Sequence, residues 1–316
     1  MDYKKVSKEF KNYIEQSNAI TIISHLRPDG DTISSALALY NLFKKLGKRV
    51  EVCCIDSDLP INFRFLKGFD RYKTKIDFDD SLVITVDCGD LKRAGFNLDR
   101  REIINIDHHK VNTHFGKLNI VDFKAATACV VFNLIKEEFE IDKDIATALY
   151  AGVVSDSINF STSLTSIDTF KNAIELLGYG VDLVEVANYV NKSKTLSHIR
   201  LLTYALNSLE LGVNGKVSFM IVTEDDFKKS GAKNSDMIGI IDVGLSLITV
   251  EVAVFIAELE DKIKVSLRSK NVDISEIAQL FGGGGHKMAA AFEVKDGKIL
   301  EVKDSLKIIL KDYLDA

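Results

Sequence analysis

The first half of the chain alternates short apolar runs with longer segments of helical periodicity. The predicted strands are runs of apolar and β-branched residues, at 20–24, 49–55, 81–86 and 102–106. The predicted helices carry apolar residues at helical spacing, over 33–46, 126–140, 143–153 and 164–178. The first of these helices ends before Gly47. Strands that alternate with helices predict β-α-β units, and therefore an α/β fold with a parallel sheet.

The second half of the chain indicates a separate and smaller α/β domain. A mostly helical stretch, 181–209, contains a polar segment at 191–194. It is followed by predicted strands at 216–222, 247–257 and 262–268 and predicted helices at 273–281 and 299–313. Because 316 residues exceed one typical domain, we predict a first domain over 1–188, a helical linker over 189–208 and a second domain over 209–316.

Composition narrows the class of protein. No apolar run approaches the length that spans a bilayer, and the N-terminal MDYKKVSKEF is too polar for a signal peptide. The cysteines lie in or beside apolar segments without a C-x-x-C pattern, which predicts buried thiols and a cytoplasmic location, for Cys53, Cys54, Cys88 and Cys129. The net charge is −5 and basic clusters are short, which argues against long nucleic acid or membranes as partners. A phosphate-bearing substrate would therefore be small.

Acidic and histidine residues follow three of the predicted strands directly. The strand at 20–24 precedes His25, Asp29 and Asp31, the strand at 81–86 precedes Asp87, and the strand at 102–106 precedes the triplet Asp107-His108-His109. The C-terminal ends of parallel strands meet at one edge of a sheet, where ligands bind. We therefore expect these side chains to converge. Asp156, which follows a predicted helix, is a further candidate.

Such a convergence of carboxylates favours a metal centre. Several carboxylates packed together repel one another unless a cation neutralises them. Mixed imidazole and carboxylate ligands suit Mn²⁺, Fe²⁺, Co²⁺ or Zn²⁺ better than Ca²⁺. Two such ions about 3.5–4 Å apart activate a hydroxide and bind the phosphoryl oxygens during in-line displacement. The sequence therefore predicts a two-metal site for phosphate chemistry.

Each motif also has an ordinary structural interpretation. An Asp after a strand is commonly a turn or helix-cap residue, and we interpret Asp90, Asp122 and Asp168 in that way. We interpret His114 and His198 as structural, because nothing in their neighbours requires a chemical role. The other four histidines all lie in motifs rich in Asp or Gly, so the structural interpretation is weak for them jointly.

A run of four glycines, 282–285, is followed by His286. Consecutive glycines cost conformational entropy, and their backbone N–H groups can approach an anion closely. A helix that begins near His286 would add the positive end of its dipole. Upstream, Arg268 and Ser269 end a predicted strand, and a guanidinium can hold a phosphate through two hydrogen bonds. The alternative is a flexible loop and a surface arginine.

Taken together, these motifs resemble those of the DHH phosphoesterases. The match consists of His25-x-x-x-Asp29-x-Asp31, Asp87, the Asp-His-His triplet at 107–109 and Asp156. Arg268-Ser269 and the GGGGH at 282–286 resemble the DHH-associated C-terminal domain. The resemblance covers almost the whole chain. Its length and domain pair are similar to the nanoRNase/pAp-phosphatase subfamily rather than to the larger RecJ exonucleases.

The resemblance implies a role for each matched residue. His25 and Asp29 would bind one Mn²⁺, with Asp87 bridging to a second Mn²⁺ that Asp31, His108 and Asp156 bind; Mg²⁺, Co²⁺ or Fe²⁺ are possible substitutes. His109 would contact the scissile phosphate or help the leaving group, and Asp107 would orient the histidines. The second domain would bind the rest of the substrate in a cleft between the domains, through Arg268, Ser269, Gly283, Gly284, Gly285 and His286.

The sequence departs from the family pattern at the fourth motif. Family members often carry Asp-Thr-Gly there, whereas this chain has Asp156-Ser157-Ile158. The metal ligand is kept, but Ile158 is bulkier than glycine. We therefore expect the local turn and the nearby substrate contacts to differ from those of the family.

The predicted activity is that of a manganese-dependent oligoribonuclease and 3′(2′),5′-bisphosphate nucleotidase. It would hydrolyse short oligoribonucleotides to mononucleotides and 3′-phosphoadenosine 5′-phosphate (pAp) to AMP. One alternative is a phosphodiesterase for linear or cyclic dinucleotides, and another is a nucleotide sensor without catalysis. A dehydrogenase is excluded because no G-x-G-x-x-G turn follows the first strand. The sequence leaves the oligomeric state open between a monomer and a homodimer.

Overall fold

The computed structural model describes residues 1–295 and 297–315. The chain divides into two compact units, Met1–Ser193 and Lys194–Ala316. This division falls within the stretch 189–208 that the sequence marks as a helical linker. That stretch contains most of a π-helical segment, Asn188–Lys192, and the whole of a regular helix, Leu196–Asn207.

The first unit is built from a sheet with helices. Its strands are β1 (Ala19–Ser24), β2 (Arg49–Cys53), β3 (Tyr72–Lys73), β4 (Leu82–Val86), β5 (Ile103–Asp107) and β6 (Leu118–Val121). Its helices are α1 (Tyr3–Gln16), α2 (Gly30–Lys45), α3 (Thr127–Ile135), α4 (Lys143–Asp156), α5 (Ile167–Leu177) and α6 (Leu183–Ala187).

The sheet of the first unit is parallel, in the order β3-β2-β1-β4-β5-β6. Its central strands β1, β4 and β5 are buried at every position. A parallel strand with both faces covered needs apolar residues on both faces. This explains why the sequence shows mostly apolar runs here, and the predicted α/β fold with a parallel sheet is confirmed.

Strand register brings the chemically interesting residues into line. Ser24 of β1 pairs with Val86 of β4, and Val86 pairs with Ile106 of β5. The next residue on each strand is His25, Asp87 or Asp107. Because paired residues lie side by side across a parallel sheet, these three begin from one row at the C-terminal edge.

The helices complete this edge. Asp29 caps α2, since its Oδ1 accepts hydrogen bonds from the backbone N–H groups of Asp31 and Thr32. Helices α2 and α4 pack together in the main core, and α4 ends at Asp156. The start of α2 and the end of α4 therefore both carry carboxylates.

The second unit has its own sheet and cores. Its helices are α7 (Leu196–Asn207), α8 (Glu224–Ser230), α9 (Ile240–Leu245), α10 (Ser275–Leu280) and α11 (Ile299–Asp315). Its strands are β7 (Glu210–Gly212), β8 (Val217–Val222), β9 (Val252–Leu259), β10 (Lys262–Ser269), β11 (Gly284–His286) and β12 (Ala289–Val294). The sheet order is β11-β12-β10-β9-β8-β7, with β8 and β9 parallel and the other neighbours antiparallel. A second α/β domain with a mixed sheet is thus confirmed.

Some local predictions are wrong. No helix begins near His286, because the chain there forms β11 and pairs with β12. Asp122 is not a helix cap, since its carboxylate accepts a hydrogen bond from the Tyr3 hydroxyl. Asp168 lies in the first turn of α5, whose cap is Ser166. Asp90 does cap a 3₁₀ turn, as predicted.

The expected burial of the cysteines agrees with the structure. All four cysteines are free and buried. Among the residues that the structure describes, no helix is both long enough and apolar enough to cross a bilayer. Cys53 lies at the end of β2 and Cys129 lies in α3. Cys54 directly follows β2, and Cys88 lies two residues after β4.

Candidate metal centre and active site

His25 is buried at the end of β1 with its ring fixed from one side. Its Nδ1 lies 2.7 Å from the backbone oxygen of Leu26, so this nitrogen carries the proton. Its Nε2 points at two carboxylates, 3.2 Å from Asp87 Oδ2 and 3.8 Å from Asp29 Oδ2. Nε2 is nevertheless buried without a well-aligned hydrogen bond. A buried nitrogen lone pair aimed at carboxylates is the arrangement that a cation satisfies.

His108 repeats this arrangement at the end of β5. Its Nδ1 lies 3.0 Å from the backbone oxygen of Lys124. Its Nε2 is 3.5 Å from Asp87 Oδ1 and 3.6 Å from Asp156 Oδ2. Both histidines thus use a backbone carbonyl to present Nε2 to Asp87, which lies between them.

The N-terminus of α3 holds the carboxylates in place. Asp31 accepts hydrogen bonds from the backbone N–H groups of Thr127 (2.5 Å) and Ala128 (3.0 Å). The Thr127 hydroxyl donates to Asp87 Oδ1 at 2.9 Å. Backbone N–H groups at a helix N-terminus favour negative charge, so α3 orients two carboxylates that would otherwise repel.

The predicted metal ligands form overlapping groups. His25, Asp29 and Asp87 make one group, and Asp31, His108 and Asp156 make another, with the candidate ligand atoms of each group within 4.8 Å of one another. A further group, Asp87 with His108 and His109, joins the first two. The structure therefore brings together all six residues that the sequence proposed as metal ligands, with Asp87 in the middle.

The pKa values of the clustered residues reflect this crowding. Burial alone would lower the pKa of His25, but the nearby carboxylates of Asp29 and Asp87 outweigh it and raise the pKa to about 10. Burial opposes protonation of His108 in the same way, yet Asp87, Asp156 and Asp31 raise its pKa to about 9. Burial raises the pKa of Asp156 to about 7. The cluster therefore holds protons where a divalent cation would displace them.

Asp31 and Asp87 respond to the same cluster in opposite directions. Burial, and then the charges of Asp87 and Asp156, raise the pKa of Asp31 well above its usual value. Burial would also raise the pKa of Asp87, but hydrogen bonding and charge from His25 lower it strongly. Asp87 is thus the residue most strongly held as a carboxylate, which suits a ligand shared by two positive charges.

His109 belongs to a hydrogen-bonded chain beside the metal ligands. Its Nδ1 donates to Asp107 Oδ1 at 2.7 Å, and Asn112 Nδ2 donates to Asp107 Oδ2 at the same distance. Asp107 is fully buried. Since its oxygens accept from these two donors, it fixes the His109 tautomer and leaves Nε2 to face outward from the pair.

Sequence reasoning missed two residues of this site. Thr127 has only one signal, namely that it begins a helix after two alanines. Asn112 lies three residues after the Asp-His-His triplet, where an asparagine is also an ordinary turn residue. Neither position could be recognised without knowing which side chains converge.

The donor set fits a centre of divalent cations. Imidazole nitrogens and carboxylate oxygens alternate around Asp87, and both ligand histidines already present a suitable tautomer. The buried Nε2 of His25 adds a polar atom that faces two carboxylates without a well-aligned hydrogen bond. The residues would therefore hold a metal ion without rearrangement of either imidazole.

The candidate substrate residues lie in the second unit. Arg268 is the last residue but one of β10 and is half-buried, and its Nη1 donates to the backbone oxygen of Leu267. Ser269 is buried, and its hydroxyl donates to the backbone oxygen of Val272. The hydroxyl of Ser269 thus supports the turn after β10.

His286, which follows the glycine run, and Arg268 lie on one face of the second sheet. His286 pairs with Ala289 across β11 and β12, and Ala289 pairs with Arg268 across β12 and β10. Paired residues point to the same face, so His286 and Arg268 flank the methyl group of Ala289, with two strand spacings or about 10 Å between their strands. A cationic arginine and an imidazole at this separation suit an anionic ligand.

Known domain families match both units. A model of the DHH family, N-terminal domain, matches residues 19–153. A model of the DHHA1 domain matches residues 212–315. The first range includes all the residues of the cluster except Asp156, and the second includes Arg268 and the glycine run.

Curated relatives match most of the chain. A protein of Thermus thermophilus named bifunctional oligoribonuclease and PAP phosphatase NrnA is 34% identical over 283 residues, which cover 87% of this chain and 84% of the relative. A Bacillus subtilis protein of the same name is 26% identical and covers 88% of this chain and 90% of its own length.

Solved structures share the fold. An exopolyphosphatase-related protein from Bacteroides fragilis matches with a TM-score of 0.86 and 26% identity, covering 98% of both chains. RecJ from Thermus thermophilus, solved with Mn²⁺, matches with a TM-score of 0.59 and 16% identity over 97% of this chain and 54% of its own. With two matched domains and a relative 34% identical over most of both chains, this chain belongs to the DHH family of phosphoesterases.

Proposed function

We propose that this protein hydrolyses short oligoribonucleotides to mononucleotides and pAp to AMP, with two Mn²⁺ ions bound at the cluster. The observation that carries the proposal is the central position of Asp87, between the groups formed with His25 and with His108. The relatives named as oligoribonuclease and PAP phosphatase support the choice of substrates.

The metal ligands in this proposal are the six clustered residues, His25, Asp29, Asp31, Asp87, His108 and Asp156. Bound divalent ions would supply Lewis-acid stabilisation of the phosphoryl oxygens and a nucleophilic water at neutral pH. The mixture of nitrogen and oxygen donors is compatible with Mn²⁺ and also with Co²⁺ or Fe²⁺, whereas the histidines make Mg²⁺ a weaker substitute.

The protein's own groups would act on the substrate beside the ions. His109, oriented by Asp107, directs Nε2 toward the phosphate or the leaving oxygen. A buried carboxylate behind an imidazole keeps it in one tautomer and in one orientation. In the second unit, Arg268 and His286 would bind the other phosphate or the terminal nucleotide through the face that they share.

Substitution of the central ligand tests the metal centre. Asp87→Asn keeps the size of the side chain but removes the charge between His25 and His108. We expect bound Mn²⁺ to fall and turnover of pAp to drop at least about a hundredfold, as measured by elemental analysis and phosphate release. Asp90→Asn is the matched control, because Asp90 caps a 3₁₀ turn three residues away. Near-normal activity of Asp87→Asn would reject the two-metal proposal.

A hydrolysis panel tests the substrate class. With Mn²⁺ present, we expect rapid hydrolysis of pAp and of RNAs two to five nucleotides long. A long single-stranded RNA should be a poor substrate, because a chain of net charge −5 gains little from counterion release. Faster hydrolysis of cyclic dinucleotides or pyrophosphate than of pAp and short RNA would replace the proposed substrates.

A further inference from the structure

The chain makes a left-handed turn immediately after the metal ligand Asp156. Ile158, Asn159 and Phe160 have φ angles of 46°, 55° and 62°. Left-handed backbone brings Cβ close to the following carbonyl oxygen, and it is least favourable for a β-branched residue such as isoleucine. The position of Ile158 thus carries strain that a glycine would relieve.

The rest of the unit holds this turn in place. The Ser157 hydroxyl accepts a hydrogen bond from the Phe160 backbone N–H at 2.9 Å. Asn191 Nδ2 donates to Asn159 Oδ1 at 2.6 Å. The Phe160 ring stacks on Phe170 with centroids 5.0 Å apart. Strain that neighbouring contacts maintain in this way points to a function rather than to an accident of folding.

The strained residue contributes little to the core. The Ile158 side chain is 58% exposed, so burial cannot explain why an isoleucine occupies a position that suits glycine. Two residues span at most about 7 Å of backbone, so Ile158 lies within that distance of Asp156 along the chain. The turn therefore presents an apolar side chain to solvent at the border of a highly charged cluster.

A charged cluster next to an exposed apolar side chain matches the two chemical parts of a nucleotide. A phosphate is charged and requires cations, whereas a base is flat and largely apolar on its faces. The cluster supplies the charge that a phosphate requires. Ile158, two residues along the chain from Asp156, supplies an exposed apolar surface that suits a base. Apolar side chains are common partners for the faces of bases.

We propose that Ile158 is a substrate-contacting residue that packs against the base of the nucleoside whose phosphate is hydrolysed. This inference rests on the proposed function, because it requires a nucleotide at the metal centre. It assigns the left-handed turn a purpose: the turn holds Ile158 toward the base, at a cost in stability.

The test compares two substitutions on two substrates. Ile158→Gly removes the apolar surface and the strain, and Ile158→Leu keeps apolar surface without the β-branch. The substrates are pAp and ribose 3′,5′-bisphosphate, which lacks the base. We expect Ile158→Gly to raise the KM for pAp about fivefold and to leave the KM for the base-free substrate unchanged. Ile158→Leu should retain most of the affinity for pAp.

Thermal unfolding separates this role from a structural one. Ile158→Gly should unfold at the same or a higher temperature than the wild type, so a weaker KM cannot be attributed to misfolding. Arg100→Gly is the control, because Arg100 is exposed with φ of 64° in the turn that precedes β5, at the strand end opposite Asp107. It should not change either KM.

The outcomes separate a failure of the proposed function from a failure of the base contact. If the wild type fails to hydrolyse pAp, the proposed function fails. If the wild type hydrolyses pAp and Ile158→Gly has an unchanged KM, or an equal rise in KM for both substrates, contact with the base is overturned. A changed oligomeric mass with an unchanged KM would also overturn it, by placing Ile158 between copies of the chain.

Discussion

Asn112 is the outermost member of the hydrogen-bonded chain that orients His109. Its amide donates to the buried carboxylate of Asp107, which in turn accepts from His109 Nδ1. Asn112→Ala would leave one oxygen of Asp107 without this donor, and the imidazole would lose its fixed orientation. Since partners of this kind typically change activity 10–100-fold, we expect kcat to fall within roughly that range. Steady-state kinetics on pAp measures it.

Measurements of metal content and of the His109 tautomer show whether Asn112→Ala acts through His109 or through the metal ligands. Bound Mn²⁺ should be unchanged, because Asn112 contacts none of the six proposed ligands by a hydrogen bond in the described structure. The imidazole ¹⁵N spectrum of metal-free protein should show mixed tautomers for His109. Asn97→Ala is the control, since the Asn97 amide also supports a turn, at Asp99. A fall in bound metal equal to the fall in kcat would contradict this role.

The role of a residue could be predicted from sequence where its type and position are unusual, and not where they are common. Asp and His directly after buried strands are conspicuous, so His25, Asp87 and His108 were recognisable from sequence. Thr127 and Asn112 are residue types that every loop and helix start contains. Their role depends on hydrogen bonds to residues 40 and five positions away, to Asp87 and Asp107 respectively, which local pattern does not specify.

At the scale of elements, the glycines around β11 have different reasons. A Cβ on Gly283 would lie 2.3 Å from the backbone oxygen of Ala291 and 2.4 Å from Cβ of Phe292, so β12 excludes it. A Cβ on Gly284 would meet nothing within 4 Å, and its φ is not in the left-handed region. Gly284 is therefore the glycine of the run 282–285 that neither packing nor a left-handed φ requires, and it lies on the same face as His286.

This difference predicts opposite results for two alanine substitutions. Gly283→Ala should destabilise the protein by about 1–3 kcal/mol, because β11 would have to move away from β12. Gly284→Ala should unfold within about 0.5 kcal/mol of the wild type but raise the KM for pAp if the glycine run binds substrate. Circular dichroism suits the unfolding measurement, as the chain has no tryptophan. Equal stability losses would contradict the assignment.

Elements with a strong apolar pattern were predictable, and sparse ones were not. Strands β1, β4 and β5 are mostly apolar, whereas α1 buries only Ser7, Phe10 and Ile14 in a polar segment. Strand β12 begins with three alanines, which favour strands poorly. A helix near His286, which the sequence raised only as a condition for anion binding, does not form because the chain there pairs with β12.

At the scale of the whole molecule, metal binding and protonation compete for one cluster. Without metal, the pKa of His25 is about 10 and that of His108 about 9, both above the value of about 6.5 in an unfolded chain. The folded protein therefore binds more protons than the unfolded chain above pH 6.5. The stability that these histidines contribute is fully present below pH 6.5 and is lost as pH rises toward 9–10.

Bound metal should reverse this dependence. In the proposed site deprotonated imidazoles are the ligands, so metal affinity should rise with pH. A ligand at free concentration L that binds only the folded state stabilises it by RT ln(1 + L/Kd), which increases with that affinity. Between pH 6.5 and 8.5 we expect the unfolding temperature to fall in chelator and to rise or stay level in excess Mn²⁺. His25→Gln should flatten both curves, while His114→Gln, at an exposed residue outside the cluster, should change neither. Parallel curves with and without Mn²⁺ would mean that the histidines are not where the metal binds, and the cluster would lose its proposed role.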